Sequence, residues 1–275
     1  MDEDRRRILA MGGGGFTMES TLALDRFALE LTGKPVPRIC FLPTASGDPR
    51  EQATRFFERF SSWPCEPSIL SLFHLGRDRI DPREHLLAQD AIYVGGGSMR
   101  NMLAVWREHS VDEIMRAAWE RGIVLAGLSA GAMCWFEGGI TMSGGFAAAV
   151  TGLGLVRGSL SVHMDGEPER LPVFRQAIAT GRLPAGFAAD DGAALLLRGT
   201  KLERCVSSRV GARVISVGAD GEGGTVERDL PVTPLAGSLP APGTTPTPSV
   251  ASVTVDEPYG VSELRALRGG RHRWD

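Results

Sequence analysis

The sequence predicts an α/β protein: a doubly wound, mostly parallel sheet with helices on both faces and a nucleophile elbow. Three observations carry that reading. Short apolar runs closing on glycine or turn residues alternate with longer amphipathic stretches, the rhythm of strand–helix–strand units. The run GIVLAGLSAG is apolar almost throughout, as a strand buried on both faces is. Within it, Gly127-Leu128-Ser129-Ala130-Gly131 fits G-x-S-x-G between a predicted strand and a helix-compatible stretch.

The elements follow in order. RRILAMGGGG reads as a first strand with a glycine loop, and residues 17–31 as a helix with apolar positions near helical spacing. RICFLPTASGD is a second strand ending in a polar loop, residues 50–60 a helix, and PSILSLFHL a third strand. DAIYVGGGS is a fourth strand, again closed by glycines; residues 100–121 read as one or two helices, and GIVLAGLSAG as the next strand. Right-handed crossovers put all the strand-end loops on one edge of such a sheet. Ligands bind there, outside the carboxyl ends of the strands. The second half is less regular. Residues 141–158 are rich in glycine and small apolar side chains, 171–179 look helical, and 193–197 and 213–217 look like strands added antiparallel near the sheet edge. From 238 the composition shifts to Pro, Thr, Gly and Ala. The expected division is therefore a domain over 1–237 and an extended tail over 238–275, with a short helix near its end. That tail reads as a linker, the arm of a homodimer or a disordered end.

Composition narrows the function. The 275 residues suit one large α/β domain. Thirty basic side chains against 33 acidic ones, a net charge of -3, suggest neither nucleic acid nor an anionic membrane as partner, and a small molecule is the expected one. The start MDEDRRRILAMGGGG lacks the apolar core of a signal peptide. No apolar run reaches the roughly 18 residues of a membrane span. Cys40, Cys65, Cys134 and Cys205 show no CxxC spacing, and the five histidines do not pair at ligand spacing. Free thiols in a reducing cytoplasm are expected, with no metal. Gly12 to Gly15 lacks the G-x-G-x-x-G fingerprint, and no phosphate-loop motif is present, so no organic cofactor is expected either.

The elbow assigns Ser129 as nucleophile. Its turn is tight enough to strain the backbone, and glycine on both sides avoids a clash. A serine needs a base. His163, in SLSVHMDGEPER at an apolar-to-polar boundary, is the best placed of five; His74, His85, His109 and His272 sit in connections, after a helix, or in the tail. The Gly95-Gly96-Gly97-Ser98 loop lets backbone N–H groups approach a ligand. The N–H groups of Gly97 and Ala130 are the candidate oxyanion donors.

These residues resemble the dipeptidase E group of serine peptidases, family S51, which includes cyanophycinase. The matching stretches are ILAMGGGGFTME, RICFLPTASGD, AIYVGGGSMRNMLAVWREH, GIVLAGLSAGAMCWFE, GLGLVRGSLSVHMDGEPER and AADDGAALLL. They run in family order over about three quarters of the chain. The resemblance implies a fold like that of class I glutamine amidotransferases and removal of N-terminal aspartate from dipeptides. It also implies Ser129 as nucleophile, His163 as base, and Gly97 and Ala130 at the oxyanion positions. The preference for aspartyl substrates makes Arg170 the candidate for holding an acidic group, with Ser98 beside it. Three departures matter. Thr141-Met142-Ser143 stands where an aspartate is expected, Val162-His163-Met164 where Pro-His-Tyr is usual, and Ser98 where Asn usually follows the glycines. Met142 then leaves His163 without a carboxylate there. Glu137 is the only carboxylate between Ser129 and His163, while Asp165, Glu167, Asp190 and Asp191 follow the histidine. Either one of these carboxylates supplies the third member, with Glu137 and Glu167 named first, or catalysis is by a bare Ser–His pair, or the protein has drifted from peptide hydrolysis. Three functions fit: a hydrolase of a small, acidic aminoacyl substrate, an acyltransferase using the same acyl-enzyme, or a non-catalytic binding protein on this scaffold.

Overall fold

The computed structural model describes residues 5–19 and 22–239. It is built on two sheets. The first grows from β1 (Arg7–Met11), which leads through α1 (Ala23–Glu30) to β2 (Arg38–Leu42), then through α2 (Arg50–Phe60) to β3 (Glu66–Ile69). Two short helices, α3 (Leu75–Asp78) and α4 (Pro82–Leu87), precede β4 (Ala91–Val94). The helices α5 (Met99–Glu108) and α6 (Val111–Glu120) then return the chain to β5 (Val124–Leu128). These strands pair in parallel in the order β1-β5-β4-β2-β3.

Alternation of side chains across the pleat makes two cores from one sheet. Leu9, Met11, Ile39, Phe41 and Tyr93 face α1 and α2, where they meet Leu24, Phe27, Phe56 and Phe60. Ile8, Ala10, Cys40, Leu42, Ile92 and Val94 face the other way, toward Met102, Trp106, Ile114 and Met115 of α5 and α6. Phe16 meets Phe41, Phe56, Phe60 and Tyr93 edge-on. Each ring buried in this way contributes on the order of 1.5–3 kcal/mol. Both faces are therefore covered by helices, as the periodicity predicts. The helix expected over 17–31 is shorter: α1 starts at Ala23, behind Leu22 with a φ of 54°. The third apolar run keeps strand form only to Ile69 and then turns helical at Leu72.

The second half of the chain departs from expectation. After α7 (Ala130–Met133), the strands β6 (Phe136–Thr141), β7 (Ala148–Thr151), β8 (Val156–Ser161), β9 (Gly186–Ala189), β12 (Val214–Ala219) and β13 (Thr225–Leu230) form a separate six-stranded sheet, in the order β13-β12-β9-β8-β6-β7. One face of it joins the α5/α6 core through Phe136, Val156, Leu160 and Val214. The other carries α8 (Arg170–Ala179), packed through Phe174, Ala177 and Ile178 on Ile140, Ala188 and Ile215. Only β10 (Ala193–Arg198), β11 (Lys201–Arg209) and β14 (Val232–Leu239) extend the first sheet. The strand expected over 193–197 is antiparallel, but it lies inside the sheet against β1, not at its edge. The strand expected over 213–217 belongs to the second sheet. The tail expected from 238 lies outside the described residues, except for 238 and 239, which close β14. Among the described residues, no helix is long and apolar enough to cross a membrane.

Candidate active site

Strand order brings four loops to one edge. β5 lies between β1 and β4, so the turn after β5 is flanked by the glycine loops that follow β1 and β4. β10 runs antiparallel to β1, with Met11 opposite Ala194, so the turn before β10 arrives at the same edge. β8 lends the histidine loop, where the His163 N–H donates to the Gly12 carbonyl at 3.1 Å.

Ser129 has φ 54° and ψ -113°, a conformation costing a non-glycine residue about 1–3 kcal/mol. Its neighbours enforce it. A Cβ on Gly127 would lie 2.3 Å from the Gly131 carbonyl oxygen, and one on Gly131 would lie 2.3 Å from that of Val94. The Ser129 N–H is anchored to the Met11 carbonyl at 3.1 Å. The expected helix behind the elbow is the single turn α7, so Ala130 offers a backbone N–H with little helix dipole behind it. Gly96 stands beside the serine, where a Cβ would lie 3.2 Å from that of Ser129, whereas one on Gly97 would meet the Ala45 carbonyl oxygen at 2.3 Å.

His163 Nε2 is 3.0 Å from Ser129 Oγ, and His163 Nδ1 is 2.5 Å from Asp191 Oδ1. The carboxylate accepts the Nδ1 proton, which leaves the Nε2 lone pair facing the serine hydroxyl. Asp191 sits on the three-residue turn between β9 and β10. Of the carboxylates that follow the histidine in the sequence, Asp191 is the one that meets it; the two candidates named first, Glu137 and Glu167, have other partners. Glu137 accepts the Gly158 N–H at 2.7 Å instead, and Glu167 pairs with Arg170 at 2.6 Å. Burial works to raise the Glu167 carboxyl, but the hydrogen bond and charge of Arg170 outweigh it and hold it below the ordinary range. Met142 does not leave the imidazole without a carboxylate, because Asp191, 28 residues beyond His163, reaches it. The Asp190-Asp191-Gly192 turn between two strands is the one sequence signal, a carboxylate delivered to the strand edge that holds the elbow, and it does not tell the two aspartates apart.

Gly13 explains how the pair fits. A Cβ there would fall 1.8 Å from Asp191 Oδ1 and 2.7 Å from His163 Nδ1. The loop read as a failed nucleotide fingerprint is the floor of the histidine–aspartate contact. Its Gly13 carbonyl also accepts the Gly192 N–H at 3.2 Å.

The two expected substrate contacts have other partners. Arg170 is 5% exposed, not a surface group; its Nε donates to Glu167 and its Nη1 to the Ile140 carbonyl at 2.5 Å. It braces the histidine loop against β6. Ser98 caps α5 by accepting the Asn101 N–H at 3.2 Å. The thiols do not compete as nucleophiles. Burial pushes Cys40 up to about 12 and Cys205 up to about 11, so neither is a thiolate near neutral pH. Among the described residues, no group of three or more His, Cys, Asp or Glu could hold a metal ion.

Residues 8–205 match the model of peptidase family S51. The chain belongs to peptidase family S51. The enzyme class is thus that of a peptidase. An uncharacterized peptidase of Bacillus subtilis (strain 168), YgaJ, is 47% identical over 213 residues, 77% of this chain and 92% of its own length. The crystal structure of a peptidase from an acI-B1 Actinobacterium shares the fold, with a TM-score of 0.64 at 16% identity over 82% of this chain and 94% of its own.

Proposed function

We propose that this S51 member is a serine peptidase that cleaves small aminoacyl or dipeptide substrates through an acyl-enzyme on Ser129. The observation that carries the reading is the unbroken chain Ser129–His163–Asp191, with contacts of 3.0 and 2.5 Å. His163 takes the Ser129 proton as the hydroxyl attacks the scissile carbonyl. Asp191 stabilises the imidazolium that results. The same proton is then given to the leaving amine, and water repeats the sequence to release the acid. The N–H groups of Gly97 and Ala130 are the proposed donors to the oxyanion. A complete chain of this kind supports catalysis over a binding scaffold.

The family resemblance favours an acidic residue on the acyl side. Arg170 gives no support to that preference, since Nε and Nη1 are engaged by Glu167 and Ile140. Four free cysteines, three of them buried, support a reducing, cytoplasmic setting.

The test is labelling with a fluorophosphonate, alongside hydrolysis of aspartyl and neutral dipeptides. The parent protein is expected to be labelled at Ser129 and to release the N-terminal residue. Ser129→Ala is expected to lose both while melting at the parental temperature. Hydrolysis retained in a clean Ser129→Ala preparation would overturn the serine mechanism.

A further inference from the structure

We infer that the ion pair Asp165–Arg209 is a positioning device that fixes the catalytic acid Asp191 by gripping its backbone. The inference rests on the serine mechanism proposed above. Asp165 Oδ1 accepts the Asp191 N–H at 2.8 Å. Asp165 Oδ2 accepts from Arg209 Nη2, and the same nitrogen donates to the Asp191 carbonyl at 2.9 Å. Both main-chain polar groups of Asp191 are thus held by one ion pair. Its ends belong to different parts of the fold. Asp165 is two residues beyond His163 in the histidine loop, and Arg209 is the last residue of β11 in the first sheet. The pair therefore ties base, acid and scaffold together at a place where Asp191 rides on a turn of three residues.

The rest of that turn is already held by backbone. The Gly192 carbonyl accepts the Ser208 N–H at 2.8 Å, and the Asp190 N–H donates to the Arg213 carbonyl at 3.0 Å. Asp191 itself, at the centre, takes its main-chain restraint from Asp165 and Arg209. The pair is only partly exposed, 21% for Arg209 and 35% for Asp165, so a purely structural role would show as a lower melting temperature. A displacement of about 1 Å at a reacting group, in contrast, can cost on the order of 100-fold in rate.

The charges also predict an electrostatic signature. The charged groups around the imidazole are Asp191 on the β9–β10 turn and Glu167 with Arg170 at the start of α8. Asp165 with Arg209, Glu19 and Asp190 are the charged groups around Asp191 and its turn. Neutralising Arg209 leaves Asp165 uncompensated, which favours the imidazolium. Neutralising Asp165 does the reverse.

The experiment measures inactivation by a fluorophosphonate as kinact and KI against pH, for the parent, Arg209→Met, Arg209→Lys and Asp165→Asn. Ser129→Ala serves as the control. Arg209→Met is expected to lower kinact by about 10- to 100-fold with KI and melting temperature unchanged, and to move the acid limb of kinact to higher pH. Arg209→Lys should recover part of the rate and return the limb toward its parental position. Asp165→Asn should also lower kinact, but move the limb to lower pH; it carries the test if Arg209→Met does not fold. Parental kinact in a folded variant would overturn the inference. So would a rate loss that tracks a lower melting temperature, with no limb shift and no rescue by lysine. Labelling that persists in Ser129→Ala would instead overturn the serine mechanism itself.

Discussion

Replacing Gly13 with alanine adds one methyl group, and the geometry says where it goes. The new Cβ would lie 1.8 Å from Asp191 Oδ1 and 2.7 Å from both Nδ1 and Cε1 of His163. Carbon and oxygen do not approach that closely, so Asp191 must retreat by more than about 1 Å to regain van der Waals contact. The His163–Asp191 contact is 2.5 Å, and a retreat of that size takes it beyond hydrogen-bonding distance. Moving Gly13 instead would either break the Gly192 N–H bond to its carbonyl or carry the acid turn with it. Either way, the imidazole loses the partner that sets its tautomer. Misplacement by about 1 Å costs on the order of 100-fold, and complete loss of the acid's function about 10⁴-fold. The expected range for Gly13→Ala is therefore a loss of about 10²–10⁴ in fluorophosphonate reactivity, or about 3–5 kcal/mol in the barrier. The assay is the second-order labelling rate at Ser129, read with a thermal melt to establish that the variant is folded. A folded Gly13→Ala protein labelled within twofold of the parental rate would refute the placement of Asp191 against His163.

Asp191→Asn should lower kcat for dipeptide hydrolysis by about 10⁴-fold, because an amide donating to Nδ1 leaves Nε2 protonated toward the serine; near-parental kcat would remove Asp191 from the triad. Met142→Asp should bring no gain in labelling rate, since Nδ1 of His163 already faces Asp191 at 2.5 Å; a severalfold gain would mean that the Asp191 contact is not the functional one. Asp25→Asn should flatten the pH dependence of stability. Burial pushes the Asp25 carboxyl up to about 7, against the opposing hydrogen bond from Tyr93. The folded protein keeps this proton between about pH 4 and 7 while the unfolded chain has released it. Stability from this group is therefore full below pH 4 and falls as pH rises through 7, by at most about 4 kcal/mol. Urea unfolding at pH 5 and pH 8 checks it; an unaltered slope in Asp25→Asn would show that Asp25 does not carry the effect.

Local spacing was enough for much of the site. The elbow around Ser129 is legible because its constraint is local: a strained serine between two glycines, closing an apolar run. Helix α2 was readable residue for residue, since Phe56 and Phe60 lie one turn apart, on the face that meets the core. His163 stood out because an apolar strand, β8, ends two residues before it.

Tertiary structure decided the rest. Asp191 lies 28 residues from His163 in the chain, and nothing in its neighbourhood distinguishes it from Asp190. The two face different partners because a turn before an antiparallel strand sends successive side chains apart. Asp190 accepts the Arg213 N–H at 2.8 Å, whereas Asp191 reaches the imidazole. The surroundings of Arg170 are set the same way: α8 packs its first residue against the end of β6, with Nε on Glu167 and Nη1 on the Ile140 carbonyl. The second sheet is not legible in the sequence because its strands are short and glycine-rich, and several are exposed on one face; Gly138, Gly139 and Gly158 lie within them. Periodicity records which face of an element is buried, and a catalytic contact is made between elements. Strand order, which no local pattern encodes, set Ser129, His163 and Asp191 within hydrogen-bonding reach of one another.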